Sequence, residues 1–147
     1  MEKYENVEAI VEEFFDELRT DIRIKAGNGR TKYVTYLLVN PKLTKPAVYD
    51  KLKNHNHVSM IGKLRTSSHN LHVETGRRMG KSRDRRLCIC ENEVEDEEHF
   101  LRRCNLYYDI RKAHNITTQT LEEILDDATK TQYIIDLMER RKQMTVS

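Results

Sequence analysis

The apolar positions fall into short clusters, and their spacing names the elements. Val7, Ile10, Val11, Phe14, Phe15 and Leu18 repeat at i, i+3, i+4 and i+7 over three turns, which predicts an amphipathic helix with Asn6 as its N-cap. Gly27-Asn28-Gly29 closes that segment. Residues 33–39 stay open between two states, because their aromatic and β-branched content suits a strand and their length allows a short helix. Pro41 and Pro46 interrupt the next stretch, and 47–53 reads as a short helix. Residues 58–74 read as one helix with Ile61, Leu64, Ser68 and Leu71 on one side, and 76–85 as a basic loop. Residues 88–98 suit a small hairpin, and 98–114 a helix with Leu101, Leu106 and Ile110 turned inward. Leu121, Ile124 and Leu125, then Ile134, Leu137 and Met138, predict one or two final helices. There is no internal repeat.

Composition narrows the class. A chain of 147 residues is one domain's worth. With 2 Pro and 5 Gly it is neither a collagen nor a Pro/Gly-rich disordered chain. No run of apolar residues is long enough for a membrane span, and no membrane partner is expected. Between Glu2 and Asp21 there are eight acids, which argues against a secretory signal or a transit peptide. An intracellular protein, nuclear or cytoplasmic and not secreted, is the expectation.

The net charge of +2 conceals segregation. Against the acidic start stands a stretch with eight bases, Lys63, Arg65, Arg77, Arg78, Lys81, Arg83, Arg85 and Arg86, opposed only by Glu74 and Asp84. Residues 91–98 then hold six acids and no base. The basic stretch is a candidate phosphate-binding surface, for RNA or DNA, or else a solvated face.

All three cysteines, Cys88, Cys90 and Cys104, lie within 17 residues, with His99 between them. An odd count does not make a disulfide framework. Three thiolates and an imidazole are the donor set of a closed, four-coordinate structural zinc site, so one Zn2+ is the candidate cofactor. The other reading is three reduced, partly buried cysteines beside a surface histidine. One residue separates Cys88 from Cys90 where knuckles usually have two, so chelation by both sulfurs needs a tight bend at Ile89.

Two neighbouring motifs add a resemblance. Residues 64–77, Leu64-Arg65-Thr66-Ser67-Ser68-His69-Asn70-Leu71-His72-Val73-Glu74-Thr75-Gly76-Arg77, are similar to the LR-(S/T)-x-x-H-x-L-x-(I/V)-E-x-GR stretch before the zinc knuckle of one group of retroelement proteins. Arg86-Leu87-Cys88-Ile89-Cys90, Val94-Glu95-Asp96-Glu97-Glu98-His99-Phe100-Leu101 and Cys104-Asn105-Leu106-Tyr107 resemble the knuckle itself. That family is the C-terminal zinc-binding segment of LINE-type (non-LTR) retrotransposon reverse transcriptases, and the resemblance covers about a third of the chain, 63–111, more weakly extending past Ile134. It implies Cys88, Cys90, His99 and Cys104 as ligands, with Phe100 and Leu101 packing the knuckle on neighbouring helices. Glu95, Asp96 and Glu97 would answer Arg85, Arg86, Arg102 or Arg103, or place negative charge at a helix N-terminus. His69 would serve packing or capping rather than base contact, and Arg65 and Arg77 would hold phosphates or pair with Glu74.

Enzyme signatures fail. His55-Asn56-His57 is a tripeptide in an expected polar loop, not a nuclease ββα unit, and Glu98-His99 lacks the His-Glu-x-x-His pattern. Asp126, Asp127 and Lys130 sit in helix-patterned sequence without the sheet that two-metal nucleases use. The expected fold is mainly α, a small helical domain with a zinc-knuckle or short β-hairpin insertion. It divides into 1–60 with the acidic helix, 61–116 with the basic stretch and knuckle, and 117–147 with the last helices. The expected function is non-catalytic binding of RNA or DNA. The alternative is a protein-interaction module in which the acidic amphipathic stretch from Glu5 to Leu18 docks on a partner.

Overall fold

The computed structural model describes the backbone of residues 2–146 and the side chains of 7–146. It is mainly helical, with no sheet among the described residues; the only β pairing there is an antiparallel bridge between Leu87 and Val94. No described helix is long and apolar enough to cross a membrane. The chain divides into two units, 1–44 and 45–147. The boundary expected between 60 and 61 falls within a helix of the second unit, and the one between 116 and 117 also lies inside that unit.

The first unit is a helical pair. α1 (Glu2–Gly27) is longer than its apolar stripe, so position 6 lies inside the helix and Asn6 is no N-cap. Gly29, at φ +75°, turns the chain after α1 in the left-handed region that glycine enters without strain. The ambiguous segment 33–39 is helical, as α2 (Thr31–Val39). α2 runs back along the C-terminal half of α1, with the Lys25 ammonium 5.3 Å from the centre of the Tyr33 ring and Arg19 Nε donating to Leu43 O at 3.5 Å. The stripe itself stays open: Val7, Ile10, Val11, Phe14, Phe15 and Leu18 are all exposed.

The second unit has a core. α3 (Val48–Lys51) and α4 (His55–Arg65) come first. Asn54 caps α4, its side-chain oxygen accepting from the backbone N–H of Asn56 and His57 at 2.8 and 3.3 Å. His55-Asn56-His57 is therefore a helix start and not the expected polar loop. The single helix expected over 58–74 is two: the chain leaves α4 at Thr66, passes Ser67 at φ +53°, and begins α5 (His72–Arg78) after Leu71. Gly76 to Arg78 thus belong to α5, and the basic loop starts beyond them. The helix expected over 98–114 is also divided. A π turn (His99–Arg103) ends at Cys104, whose ψ of 125° leaves the helical region, and a 3-10 turn (Asn105–Tyr107) leads into α6 (Tyr108–Ala113).

α7 (Leu121–Leu125) opens with a capping box, Thr120 and Glu123 each bonding the other's backbone N–H. α8 (Thr131–Val146) closes the unit. Ile61, Leu64, Leu71, Phe100, Leu101, Tyr107, Leu121, Ile124, Leu125, Tyr133, Ile134 and Leu137 are buried together with Cys88 and Cys104. Phe100 meets Tyr107 edge to face at 5.3 Å, and the Tyr133 hydroxyl donates to Leu101 O, so α8 is pinned to the segment carrying the histidine and the third cysteine.

Candidate metal centre

Two local structures bring the four candidate ligands together. The first is the turn that joins the Leu87–Val94 bridge. Cys88 N donates to Glu93 O at 2.8 Å and Glu91 N to Cys88 O at 2.9 Å, with Glu91 at φ +60°. This bend lets Cys88 and Cys90 both face inward across a single intervening residue. The second is the π turn. Five residues along an α-helix, at about 100° each, would put Cys104 well round from His99. Here Cys104 N donates to His99 O at 2.7 Å, an i to i+5 closure that returns the chain to the same side after one wider turn.

The ligand atoms of Cys88, Cys90, His99 and Cys104 all lie within 4.8 Å of one another. Cys88 Sγ is 3.7 Å from Cys104 Sγ, and Cys90 Sγ is 3.3 Å from His99 Nε2. A tetrahedron with metal–sulfur bonds of about 2.3 Å has edges near 3.8 Å, so this donor set fits one four-coordinate metal. Cys88, His99 and Cys104 are buried, Cys90 half-buried, and none of the cysteines is in a disulfide. His99 Nδ1 is buried without a hydrogen bond and faces Glu93 Oε2 at 3.4 Å, where an outer partner of a ligating imidazole belongs.

Burial pushes the Cys88 and Cys104 thiols up from their ordinary range. Burial works upward on Cys90 as well, but hydrogen bonds from the Asn92 and Glu93 backbone and the neighbouring thiols outweigh it and hold Cys90 below that range. A divalent cation reverses the balance, because it stabilises every thiolate it touches.

The acids expected to answer nearby arginines do so with other partners. Glu95, fully buried, takes Arg141 of α8 in a two-point ion pair at 2.6 and 2.8 Å and also accepts from His72 N at 2.7 Å. Glu97 accepts from Ser67 Oγ and pairs with His69 Nε2, both at 2.7 Å. Burial alone would raise the Glu97 carboxyl; the bonds and charge from His69 and the Ser67 bond hold it below the ordinary value. Asp96 pairs with Arg83 at 2.7 Å and accepts from His99 N at 2.9 Å, so the expected negative charge at a helical N-terminus is there. Arg102 and Arg103 pair instead with Glu98 and Glu93. His69 is buried and its Nδ1 accepts from Leu71 N at 3.2 Å, just ahead of α5, so it packs and ties the chain locally and does not cap the helix.

The eight cations of the basic stretch separate into groups. Arg65 is 2% exposed, 3.9 Å from Asp126 and 5.9 Å from the centre of the Tyr49 ring, so its assignment to phosphate is corrected: it is a core residue. Asp126 also accepts from Val48 N, and Asp127 caps the 3-10 turn Ala128–Lys130, so both have structural partners. Arg77 is held by Glu74, Arg78 by Asn70 Oδ1 and His69 O, and Arg83 by Asp96. Arg86 donates to Lys81 O and Val73 O. Lys63, Lys81 and Arg85 are exposed. The roles of Glu95, Arg141 and the Ser67–Glu97–His69 group in joining α4, α5, α8 and the knuckle were not read from sequence, since nothing in local spacing links Arg141 to a residue so far upstream. No protein-family model matches this chain, and neither does any curated protein or solved structure.

Proposed function

We propose that the 45–147 unit is a zinc-bearing, non-catalytic nucleic-acid-binding module related to the C-terminal segment of LINE-type reverse transcriptases. The observation that carries this reading is the Cys3His set, with ligand atoms within 4.8 Å, placed directly after a basic stretch. Zinc is the metal favoured by three thiolates and an imidazole in a closed, four-coordinate arrangement. Its job here is to cross-link the 87–94 turn to the π turn. Contacts to nucleic acid then fall mostly on phosphates through exposed bases, and salt weakens them steeply.

Metal analysis of protein purified without chelator or a metal-affinity tag tests the first half. One zinc per chain is expected, and clearly substoichiometric zinc overturns the site. Cys104→Ser lowers zinc affinity by more than about 100-fold, beyond the usual effect of losing an outer-sphere partner, while Ser59→Ala leaves it unchanged. Filter binding with single-stranded RNA and with DNA tests the second half. The exposed apolar stripe of α1 favours a second reading, a protein-interaction surface on the 1–44 unit. Failure of the 45–147 unit to bind nucleic acid would leave that second reading standing.

A further inference from the structure

Between α5 and the loop after it lies a cleft of about 310 Å³, walled by His72, Gly76, Met79, Lys81, Arg85 and Leu87. Arg86 also lines it. A Cβ on Gly76 would come within 2.6 Å of Arg86 Cγ, so glycine is what lets the arginine lie across the helix. The Arg86 guanidinium is spent on Lys81 O and Val73 O, which holds the loop against α5.

Lys81 and Arg85 are different. Among the described residues neither has an ion pair or a side-chain hydrogen bond, while Arg65, Arg77, Arg78, Arg83 and Arg86 all have partners. Beside these two cations stand two large apolar side chains open to solvent, Met79 at 72% and Leu87 at 41% exposure. His72 is fixed by its Nδ1 contact to Leu87 O at 2.6 Å, which leaves Nε2 for a ligand.

We propose that this cleft takes one unstacked nucleotide of a single strand, with the base or sugar against Met79 and Leu87 and the phosphate between Lys81 and Arg85. It rests on the nucleic-acid reading above and says where on the basic stretch binding occurs. The volume is at the low end for small-ligand sites, about 300–1,000 Å³, which suits a single nucleotide. A base stacked within a duplex cannot enter such a cleft without being flipped out, so a single strand is the ligand. The aliphatic and thioether wall replaces the aromatic platform common in such sites, and no base identity is specified by it.

The test measures binding of short oligo(U), oligo(dT) and a blunt DNA duplex over a salt series. Either oligonucleotide is expected to bind more tightly than the duplex, and the ratio of oligo(U) to oligo(dT) affinity says which strand the cleft prefers. Lys81→Gln with Arg85→Gln should weaken single-strand binding and flatten the salt slope by about 0.7 for each phosphate released from the pair. Met79→Ser with Leu87→Ser should weaken it about tenfold with the slope unchanged, the scale of removing one base contact. All four side chains are exposed, and matching far-UV spectra show that the variants fold. If single strands bind and neither double variant weakens them, the cleft is overturned while the nucleic-acid reading survives. The cleft is likewise overturned if only the Lys81/Arg85 variant matters, or if the duplex binds as tightly. Wild-type protein that binds none of the three probes overturns the underlying reading itself.

Discussion

Along α1, Val7, Ile10, Phe14 and Leu18 recur every three or four residues and remain about half exposed; in the 45–147 unit the pairs Ile61 and Leu64, Leu121 and Ile124, and Ile134 and Leu137 have the same three-residue spacing and are buried. Helical spacing therefore names the element and its apolar face, but not what covers that face. The difference lies in what surrounds each stripe. Among the described residues the 1–44 unit has two helices, and α2, with 9 residues, is too short to cover the 26 of α1. The 45–147 unit has several short helices on different sides of one core, and polar ties that hold them in register. Its arginines also behave differently: Arg19 of α1 is paired with exposed Glu12 and Asp16, whereas Arg141 of α8 is paired with a carboxylate that has no exposure.

That contrast gives the largest expected effect. Glu95→Ala leaves the Arg141 guanidinium without its carboxylate in a mostly buried place and removes the acceptor for His72 N. The expected cost is about 3–5 kcal/mol, the usual range for breaking one side of a buried pair. Asp16→Ala breaks an exposed pair and should cost less than about 1 kcal/mol. Urea unfolding followed by far-UV circular dichroism measures both. Similar midpoints for the two variants would dissolve the distinction between the units.

Legibility in the sequence divides along the same line. The stripes at Leu121, Ile124 and Leu125 and at Ile134 and Leu137 marked α7 and α8, because local period suffices for an element. The four candidate ligands were legible because cysteine and histidine are few and lie close together. The breaks were not. Residues 58–74 keep helical spacing through Ser67, and the chain turns there because Ser67 Oγ and His69 Nε2 both reach Glu97, about 30 positions away. Arg65 read as a surface cation because an arginine shows its charge and not its surroundings, and Asp126 and Tyr49 supply those surroundings only after folding. The single helix expected over 98–114 fails at Cys104, where the π turn trades helical continuity for alignment with His99.

A second, smaller contrast tests the apolar faces themselves. Leu64 is fully buried, so Leu64→Ala should cost about 2–5 kcal/mol through forfeited transfer energy and the cavity left behind. Phe14 is 57% exposed, and Phe14→Ala should change stability by about 0.5 kcal/mol or less in either direction. Thermal or urea midpoints decide. A Phe14→Ala cost approaching that of Leu64→Ala would mean that the α1 stripe is covered in solution, and sedimentation of the wild-type chain over a concentration series would then show whether a second copy covers it.

A modest, pH-dependent effect belongs to an ion pair between the two extremes, neither buried like Glu95 nor open like Asp16. Asp136 of α8 accepts from Gln132 Nε2 at 2.8 Å and faces His114 Nε2 at 2.7 Å, with about a third of its side chain exposed. The Gln132 bond first, and the His114 bond and charge after it, hold the Asp136 carboxyl below its ordinary value of 3.8. A carboxyl depressed on folding adds stability that is fully present above that ordinary value and is lost as pH falls through the lower folded value. The contribution at mild acidity should be a few tenths to about 1 kcal/mol, given the solvent screening of so open a pair. Asp136→Asn should therefore narrow the stability difference between about pH 5 and pH 3 relative to the parent chain, other carboxylates contributing equally to both. Urea midpoints at the two pH values measure it. If parent and variant lose stability in parallel over that window, the pair carries no folding energy, and α8 is held by its other ties, among them Glu95–Arg141, the Tyr133 hydroxyl on Leu101 O and its buried apolar residues.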